Sequence, residues 1–201
     1  EVGCKYSSGR LGAQLAWFDT RGSDVIIRAP TGRIIGGLVE VTKVNAGETY
    51  VDGIEGEVTY VVRPQLTLFA GGMYLDGEGD AYPAGATAAP VREPLDVLMP
   101  PNWRLGVRWA DPGDRFRLEA LVEHSEEQDK LSTRDRQDTQ RIPPGGTPGW
   151  TVLNLRSQWQ VRPGLTVSVA LDNVTDADYR IHGSGVNEPG RNFIASLALV
   201  L

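Results

Sequence analysis

The sequence predicts an all-β fold in which about nine antiparallel strands follow one another as a meander. Three observations support this prediction. Apolar and polar residues alternate along short segments, short and long connections alternate between those segments, and aromatic residues gather at the segment ends. Of the 201 residues, 40% are hydrophobic and 23% are charged, with 24 glycines and 13 prolines. This composition suits a folded β-protein that is rich in turns.

The predicted strands have the two-residue period of β-structure, in which successive side chains point to opposite faces. Leu105, Val107 and Trp109, for example, occupy alternate positions and are separated by glycine or arginine. No segment has a convincing amphipathic helical period. In chain order, the predicted strands are Val2–Tyr6, Leu11–Trp17, Ile54–Tyr60, Leu66–Tyr74, Arg104–Trp109, Phe116–Glu123, Val152–Leu155, Leu165–Asp172 and Phe193–Leu201.

The connections between these strands are alternately short and long. The short ones are tight turns, namely Ser7–Arg10, Arg63–Gln65, Asp111–Asp114 and Arg162–Gly164. The long ones are polar loops, namely Pro30–Gly37, Asp76–Pro101, Ser125–Gly149 and Asp178–Gly190. A meander then has all its long loops at one end, which is typical of transmembrane β-barrels. Complete bacterial barrels have even strand numbers, so nine strands predict an antiparallel transmembrane β-barrel fragment that forms an open curved sheet.

The aromatic residues favour the same orientation. One set lies within a few residues of the short turns and comprises Tyr6, Tyr60, Trp109, Phe116 and Trp159. A second set flanks the long loops and comprises Tyr74, Trp103 and Trp150. Two such rows are expected of the aromatic girdles at the two membrane interfaces. The alternative is that these residues belong to the core of a soluble β-sandwich.

Strand periodicity also predicts which face each side chain occupies. Lipid contacts the outside of a barrel and water fills the inside. The residues predicted on the convex face are Leu105, Val107, Leu118, Ala120, Val122, Val167 and Val169. Those predicted on the concave face are Arg104, Arg108, Arg117, Glu119 and Glu123. In a soluble sheet, the charged row would instead be the solvated face.

Composition and charge exclude several classes of protein. The formal net charge of −6 gives no electrostatic basis for nucleic-acid binding. The single cysteine, Cys4, excludes an intrachain disulfide and a cysteine-based zinc site. No apolar run approaches the roughly 18 residues of a membrane-spanning helix. No combination of nucleophile, base and acid is visible, so we predict no enzymatic activity and no cofactor.

Two segments near the end of the chain resemble the C-terminal end of the TonB-dependent outer-membrane receptors. Leu171–His182 matches the end of the penultimate barrel strand in that family, and Glu188–Phe193 matches the start of the last strand. The motif residues are Asn173, Asp176, Tyr179, Pro189, Gly190, Arg191, Asn192 and Phe193. Weaker similarity covers Val44–Glu57 and Lys130–Leu155. The sequence departs from the family at its last residue, which is usually aromatic in the family and is Leu201 here.

This resemblance implies a function and a set of partners. We expect residues 1–201 to be the C-terminal portion of a receptor barrel, with the plug domain and the N-terminal barrel strands absent from them. The parent would be an active transporter in the outer membrane of a Gram-negative bacterium. It would take up a metal-siderophore chelate or another small nutrient with energy from the TonB complex, which acts through the plug. Lipid and the barrel-assembly machinery are further expected partners. The alternatives are a passive porin-like channel and a soluble β-sandwich binding module.

The candidates for ligand contact lie in the long loops or where a strand enters one. They are His124, Arg134, Asp135, Arg136, Asp138, Arg141 and His182. Two histidines without close acidic partners do not make a metal centre, and the charged residues of the third loop could simply pair with one another. Asp76–Asp80 has the oxygen-rich composition of a calcium loop but lacks EF-hand spacing, so a flexible acidic loop is the favoured interpretation.

Overall fold

The computed structural model describes residues 1–82 and 89–200. The described residues form ten strands and one short helix, and the segments between these elements are turns and loops. Their bounds are β1 Val2–Ser7, β2 Leu11–Ile35, β3 Leu38–Arg63, β4 Leu66–Ala81, β5 Val91–Pro94, β6 Asn102–Ala110, β7 Phe116–Ser125, α1 Thr133–Gln137, β8 Trp150–Arg162, β9 Leu165–Asp172 and β10 Asn192–Leu199.

The strands form one antiparallel sheet that follows chain order. Nine of them pair in the order β1-β2-β3-β4-β6-β7-β8-β9-β10, and the short β5 pairs with β4 outside this path. The all-β meander is therefore confirmed. The nine expected strands are present, and β5 is an addition that lies within the predicted loop Asp76–Pro101. Within the described chain, β1 and β10 are the two edges of the sheet, so the sheet is open.

The strand registers separate two rows of side chains. On one face Arg104 lies opposite Glu123, and on the other Leu105 lies opposite Val122. The row that contains Arg104 continues across the sheet to Glu57 on β3 and Lys5 on β1. Residues of this row on β1, β3, β6 and β7 line a single cavity. The predicted separation of the charged and the apolar residues onto opposite faces of the sheet is confirmed. That the charged face is the concave one stays a prediction. We call the row that contains Arg104 the inner row and the row that contains Leu105 the outer row.

The predicted loop Pro30–Gly37 is wrong, because β2 and β3 continue through it as a two-stranded ribbon. Ile34 pairs with Val39 and Ile35 with Leu38 across a turn at Gly36 and Gly37. Both glycines have positive φ angles, 60° and 82°, as the two central residues of a tight hairpin turn require. The isoleucine and valine residues on either side of the turn have a high strand propensity. That propensity outweighs the polar residues from which a loop was predicted.

The acidic segment Asp76–Asp80 is also not a loop. It lies within β4, where Asp76 pairs with Asp52 and Gly79 with Thr49 of β3. Its glycines allow Leu95 to pack closely, since a Cβ atom at Gly79 would lie 2.8 Å from Leu95 Cδ2. Part of the predicted loop Asp76–Pro101, residues 83–88, lies outside the described residues, as does Leu201.

The outer row carries nearly all of the predicted aromatic girdle. Tyr6, Tyr60, Trp109, Phe116 and Trp159 lie on it near the short turns, and Tyr74 and Trp103 lie on it near the long loops. Trp150 was wrongly assigned to the girdle. It pairs with Ser125 on the inner row and packs against Tyr179, with ring centroids 4.5 Å apart.

A single sheet does not fit the alternative of a soluble β-sandwich, which requires two sheets packed face to face. All the strands of the described residues belong to one sheet. No helix of the described residues is long and apolar enough to cross a membrane.

Candidate functional site

A cavity of about 910 Å³ lies over the inner row, at the strand ends from which the long loops leave. The sheet contributes inner-row residues, among them Trp150 at the start of β8, and the loops contribute Met99, Ile181 and His182. Cys4, Trp103 and His124 also line the cavity. The inner-row residues that line it include Lys5, Gln14, Glu55, Glu57, Met73, Arg104 and Glu123. The site therefore combines a charged sheet surface with an aromatic and apolar edge.

The charges of the sheet surface are partly paired. Arg104 lies 3.6 Å from a carboxylate oxygen of Glu57. Glu123 accepts a hydrogen bond of 2.7 Å from Asn154 Nδ2, and Asn154 Oδ1 accepts one of 2.8 Å from the backbone N–H of Asn173. This chain of hydrogen bonds connects the cavity surface to the start of the loop that follows β9.

Three loops cover this end of the sheet, and we call them loop A (residues 95–101), loop B (126–149) and loop C (173–191). Loops A and B are joined through Asp96 and Asp135. Asp96 accepts a 2.7 Å hydrogen bond from Ser132 Oγ and a 2.9 Å bond from Arg134. Asp135, which is only 2% exposed, accepts two hydrogen bonds of 3.1 and 3.2 Å from the backbone N–H of Val97.

The short strand β5 strengthens this junction. Glu93 on β5 accepts hydrogen bonds from the hydroxyl and the backbone N–H of Thr133, at 2.6 and 2.9 Å, and lies 3.7 Å from Arg136. Thr133 opens helix α1, whose first turn is capped by Ser132. The interpretation of loop B as a segment that pairs only its own charges is therefore wrong. Arg134 pairs with Asp96, 38 positions earlier in the chain, and Arg136 with Glu93, 43 positions earlier.

Loop C packs on both of the other loops. His182 Nδ1 lies 2.9 Å from Thr147 Oγ1 of loop B. Gly183, with a φ of 77°, lies so close to loop A that a Cβ atom there would approach Val97 Cγ1 to 2.3 Å. Because each loop contacts the other two, loops A, B and C form one cap beside the cavity.

The structure gives the predicted ligand contacts of loop B different roles. Asp135 is buried and holds loop A, as described above. Arg141 pairs with Asp138, and its guanidinium lowers the pKa of that carboxyl group. Arg134 and Arg136 pair with loop A and β5 but keep 58% of their side-chain surface exposed. Both side chains thus remain accessible to solvent.

The two histidines lie in different surroundings. His124 lies on the outer row, where it stacks on Trp103 with ring centroids 5.0 Å apart and contacts Thr151 Oγ1 at 2.7 Å. His182 is only 4% exposed and lines the cavity. Burial lowers the pKa of His182, an effect that Asp135 partly opposes. The His182 ring is therefore neutral at pH 7.

The family motif residue Asn173 closes loop C. Its side chain is buried and accepts a hydrogen bond from the backbone N–H of Ala177 at 2.9 Å. The amide nitrogen of the same side chain donates to the carbonyl oxygens of Ala177 and Pro189, at 2.8 and 3.2 Å. The backbone of Asn173 is left-handed, with a φ of 50°, a conformation that asparagine tolerates better than most residues.

The remaining motif residues complete this closure. Asp176 accepts a 2.7 Å hydrogen bond from the backbone N–H of Arg191, and a Cβ atom at Gly190 would lie 2.8 Å from the same carboxylate. Arg191 donates to the carbonyl oxygen of Val174 at 2.9 Å. Tyr179 packs on Trp150, and its pKa is raised by burial and then by nearby carboxylates, first among them Glu188. Asn192 and Phe193 begin β10, with Phe193 on the outer row.

Sequence reasoning missed the residues that assemble the cap. Asp96, Glu93 and Thr147 carry no local motif, and each contacts a partner between 35 and 40 positions away. Only a map of spatial neighbours could have identified them. Among the described residues, no group of three or more histidine, cysteine, aspartate or glutamate side chains could hold a metal ion.

A one-sheet meander with an apolar outer row, a charged inner row and long loops at one end defines a segment of a transmembrane β-barrel. The chain belongs to the TonB-dependent receptor family. Residues 1–174 match the sequence profile described as "TonB dependent receptor-like, beta-barrel". This family consists of transport receptors and not enzymes, in agreement with the sequence prediction. No curated protein matches the sequence.

Solved structures of such receptors have the same fold. The copper transporter OprC is similar over 98% of this chain and 30% of its own, with a TM-score of 0.74 and 18% identity. The FrpB iron transporter from Neisseria meningitidis (F5-1 variant, apoprotein form) is similar over 97% of this chain and 30% of its own, with a TM-score of 0.74 and 15% identity. The ferric-catecholate import receptor Fiu from K12 E. coli is similar over 98% of this chain and 26% of its own, with a TM-score of 0.69 and 18% identity. The chain thus spans less than a third of each relative.

Proposed function

We propose that this chain forms part of the wall and extracellular cap of an outer-membrane receptor that takes up a metal-containing nutrient. The observation that carries the proposal is the cavity between the charged inner row and the three interlocked loops, in a chain of the TonB-dependent receptor family. A cavity of about 910 Å³ is in the range that binds small ligands. Its position at the loop end of the inner row suits capture of a ligand that arrives from outside.

The partners follow from the family and from the two rows. Uptake would depend on the TonB complex, acting through a plug domain of the parent protein. The outer row would contact outer-membrane lipid, and Phe193 to Leu199 on β10 would belong to the signal for the barrel-assembly machinery. These proposals place the parent protein in the outer membrane of a Gram-negative bacterium.

The proposed nutrient is a metal ion or a metal chelate. The names of the structural neighbours refer to copper, to iron and to ferric catecholate. In this chain, the side chains of Arg134, Arg136 and Arg141 are between 42% and 58% exposed, so their positive charges are accessible to an anionic chelate. His182 lines the cavity itself. We therefore propose the arginines as first contacts and the cavity as the binding site.

The proposal is tested by growth of the source bacterium under metal limitation. A strain that lacks the parent gene should fail to use at least one ferric or copper source that supports the wild type. Complementation should restore growth in a strain with TonB but not in one without it. Growth that is the same with and without the parent gene on every metal source would refute the proposed function.

A passive porin-like channel remains the second candidate, because the inner row is charged as in a water-filled pore. The same experiment separates the two functions. A passive channel would support uptake equally well without TonB, whereas the receptor would not. Purified parent protein in planar bilayers gives an independent measurement, since a plugged receptor should conduct few ions and an open channel many.

A further inference from the structure

Both methionines of the chain line the cavity. Met73 lies on the inner row of β4, opposite Glu55 of β3 and Asn102 of β6. Met99 lies in loop A, three residues before Asn102. The sequence contains only these two methionines, so every thioether of the chain lines one site.

His182 brings a nitrogen ligand to the same cavity. The side chain of this residue is nearly fully buried, and its Nδ1 lies 2.9 Å from Thr147 Oγ1. Its Nε2 is buried and has no hydrogen-bond partner among the described residues. Buried polar atoms are almost always paired, so an unpaired imidazole nitrogen beside a cavity is an unusual feature that calls for a ligand.

Contacts between the loops bring His182 near Met99. Gly183, the next residue after His182, packs directly against Val97, two residues before Met99. Asn102 donates a 3.2 Å hydrogen bond back to the carbonyl oxygen of Pro100, which turns the end of loop A towards the start of β6. Asn102 also pairs with Met73. The two thioethers and the imidazole are therefore presented from three neighbouring segments.

The chemistry of these groups is selective. Thioethers are soft ligands that favour Cu(I), and imidazole also suits copper, whereas magnesium and calcium require oxygen ligands. In the neutral tautomer whose Nδ1–H donates to Thr147 Oγ1, Nε2 keeps its lone pair for a metal, and such a second partner fixes the orientation of the ring. The described residues hold no cluster of three histidine, cysteine or carboxylate groups, so a site for harder cations is not provided here.

We propose that Met73, Met99 and Nε2 of His182 form a binding site for a soft monovalent metal ion, Cu(I), on the inner side of the cap. This inference rests on the proposed function, since it names the substrate class of the same cavity. It differs from capture of an intact chelate, because the metal would be bound directly by side chains of this chain. Thr147 is then a positioning residue that holds the His182 ring.

The test uses Ag(I), a redox-inert probe for Cu(I) sites, and the full parent protein purified in detergent. Cys4 is exposed and its thiol would bind Ag(I) by itself, so all measurements are made in a Cys4→Ser background. Titration calorimetry should show one ion bound in this cavity. Met99→Leu, Met73→Leu and His182→Gln should each weaken this binding at least about tenfold. X-ray absorption at the silver edge should show sulfur and nitrogen neighbours.

Matched variants separate metal binding from a structural role. Met-to-Leu exchange nearly conserves volume, and a thermal melt checks that each variant is folded. Thr147→Val should also weaken Ag(I) binding about tenfold while leaving the sulfur signal in the spectrum. Leu155→Met, which adds a thioether on the outer row outside this cavity, should leave the affinity unchanged.

Binding that is unaffected in folded Met73→Leu, Met99→Leu and His182→Gln variants, or a spectrum with only oxygen neighbours, would overturn this inference. The proposed function has a separate outcome. If TonB-dependent growth on a ferric chelate persists in the three variants and Ag(I) does not bind, the receptor function stands and the Cu(I) site is refuted.

Discussion

Replacing Asn173 should release loop C from the end of the sheet. Its side chain makes three hydrogen bonds that close the loop, to Ala177 twice and to Pro189 once. At about 1 kcal/mol each, their loss costs about 3 kcal/mol. An alanine at this position costs about 1 kcal/mol more, because the backbone of residue 173 is left-handed and alanine tolerates that conformation less well than asparagine. We therefore expect Asn173→Ala to lower the free energy of opening loop C by about 4 kcal/mol, and Asn173→Gly by about 3 kcal/mol.

Hydrogen exchange of the parent protein in detergent measures this change. A reduction of 4 kcal/mol corresponds to roughly a thousandfold faster exchange of the protected loop amides. The amides of Ala177 and Glu188, whose N–H groups donate within loop C, should show the effect, and those of β9 should not. The glycine variant should exchange more slowly than the alanine variant. Equal exchange in Asn173→Ala and wild type, or a larger effect in glycine than in alanine, would show that the loop is not closed in this way.

Three further predictions concern the sheet and the cap. Ala120→Arg places a charge on the outer row, midway along β7 between Phe116 and His124, and should destabilise folding into vesicles by about 2–4 kcal/mol. Leu121→Arg, its neighbour on the inner row, should not, and urea titration of the two variants compares them. Gly106→Ala should destabilise the sheet by about 1–3 kcal/mol because its Cβ atom would lie 2.2 Å from Phe69 Cζ, and Phe69→Leu should restore part of the loss in the same titration. The free energy of opening loop C should fall as the pH drops below 6.5, the usual pKa of histidine, since the opened loop then binds a proton that buried His182 does not. It is obtained from amide exchange after division by the intrinsic exchange rate at each pH. His182→Gln should remove this pH dependence, and a persistent one would assign it to another group.

The sequence was sufficient for the sheet because strand pairing in a meander is local. Leu105 and Val107 reveal their face by alternation alone, and a tight turn such as Arg162–Gly164 fixes which neighbour each strand meets. The ribbon was missed because a predicted loop and a twisted hairpin share the same polar and glycine residues at Thr31 to Gly37. Only the hydrogen bonds across the pair distinguish them.

The cap was largely inaccessible to sequence reasoning. Its contacts join residues that lie 35 or more positions apart and follow no periodic pattern, such as Thr133 with Glu93, Thr147 with His182 and Gly183 with Val97. A charged residue in a loop gives the same sequence signal whether it is buried or solvated. Asp135 and Arg134 are neighbours in the chain, yet one is 2% exposed and the other keeps more than half of its side-chain surface in solvent.

The long ribbon of β2 and β3 gives one part of the molecule an independent electrostatic environment. β4 pairs with β3 only as far as Thr49, and the ribbon continues beyond this point to the turn at Gly36 and Gly37. At about 3.3 Å per residue, this distance is roughly 40 Å along the strand. Charges in physiological salt are screened within about 8 Å. The bidentate pair of Arg33 with Glu40 near the tip is therefore screened from the charges of the wider sheet. Arg28 and Lys43 lie opposite each other further down the ribbon, so anything that approaches along it meets a separate, positively charged surface in a chain of negative net charge.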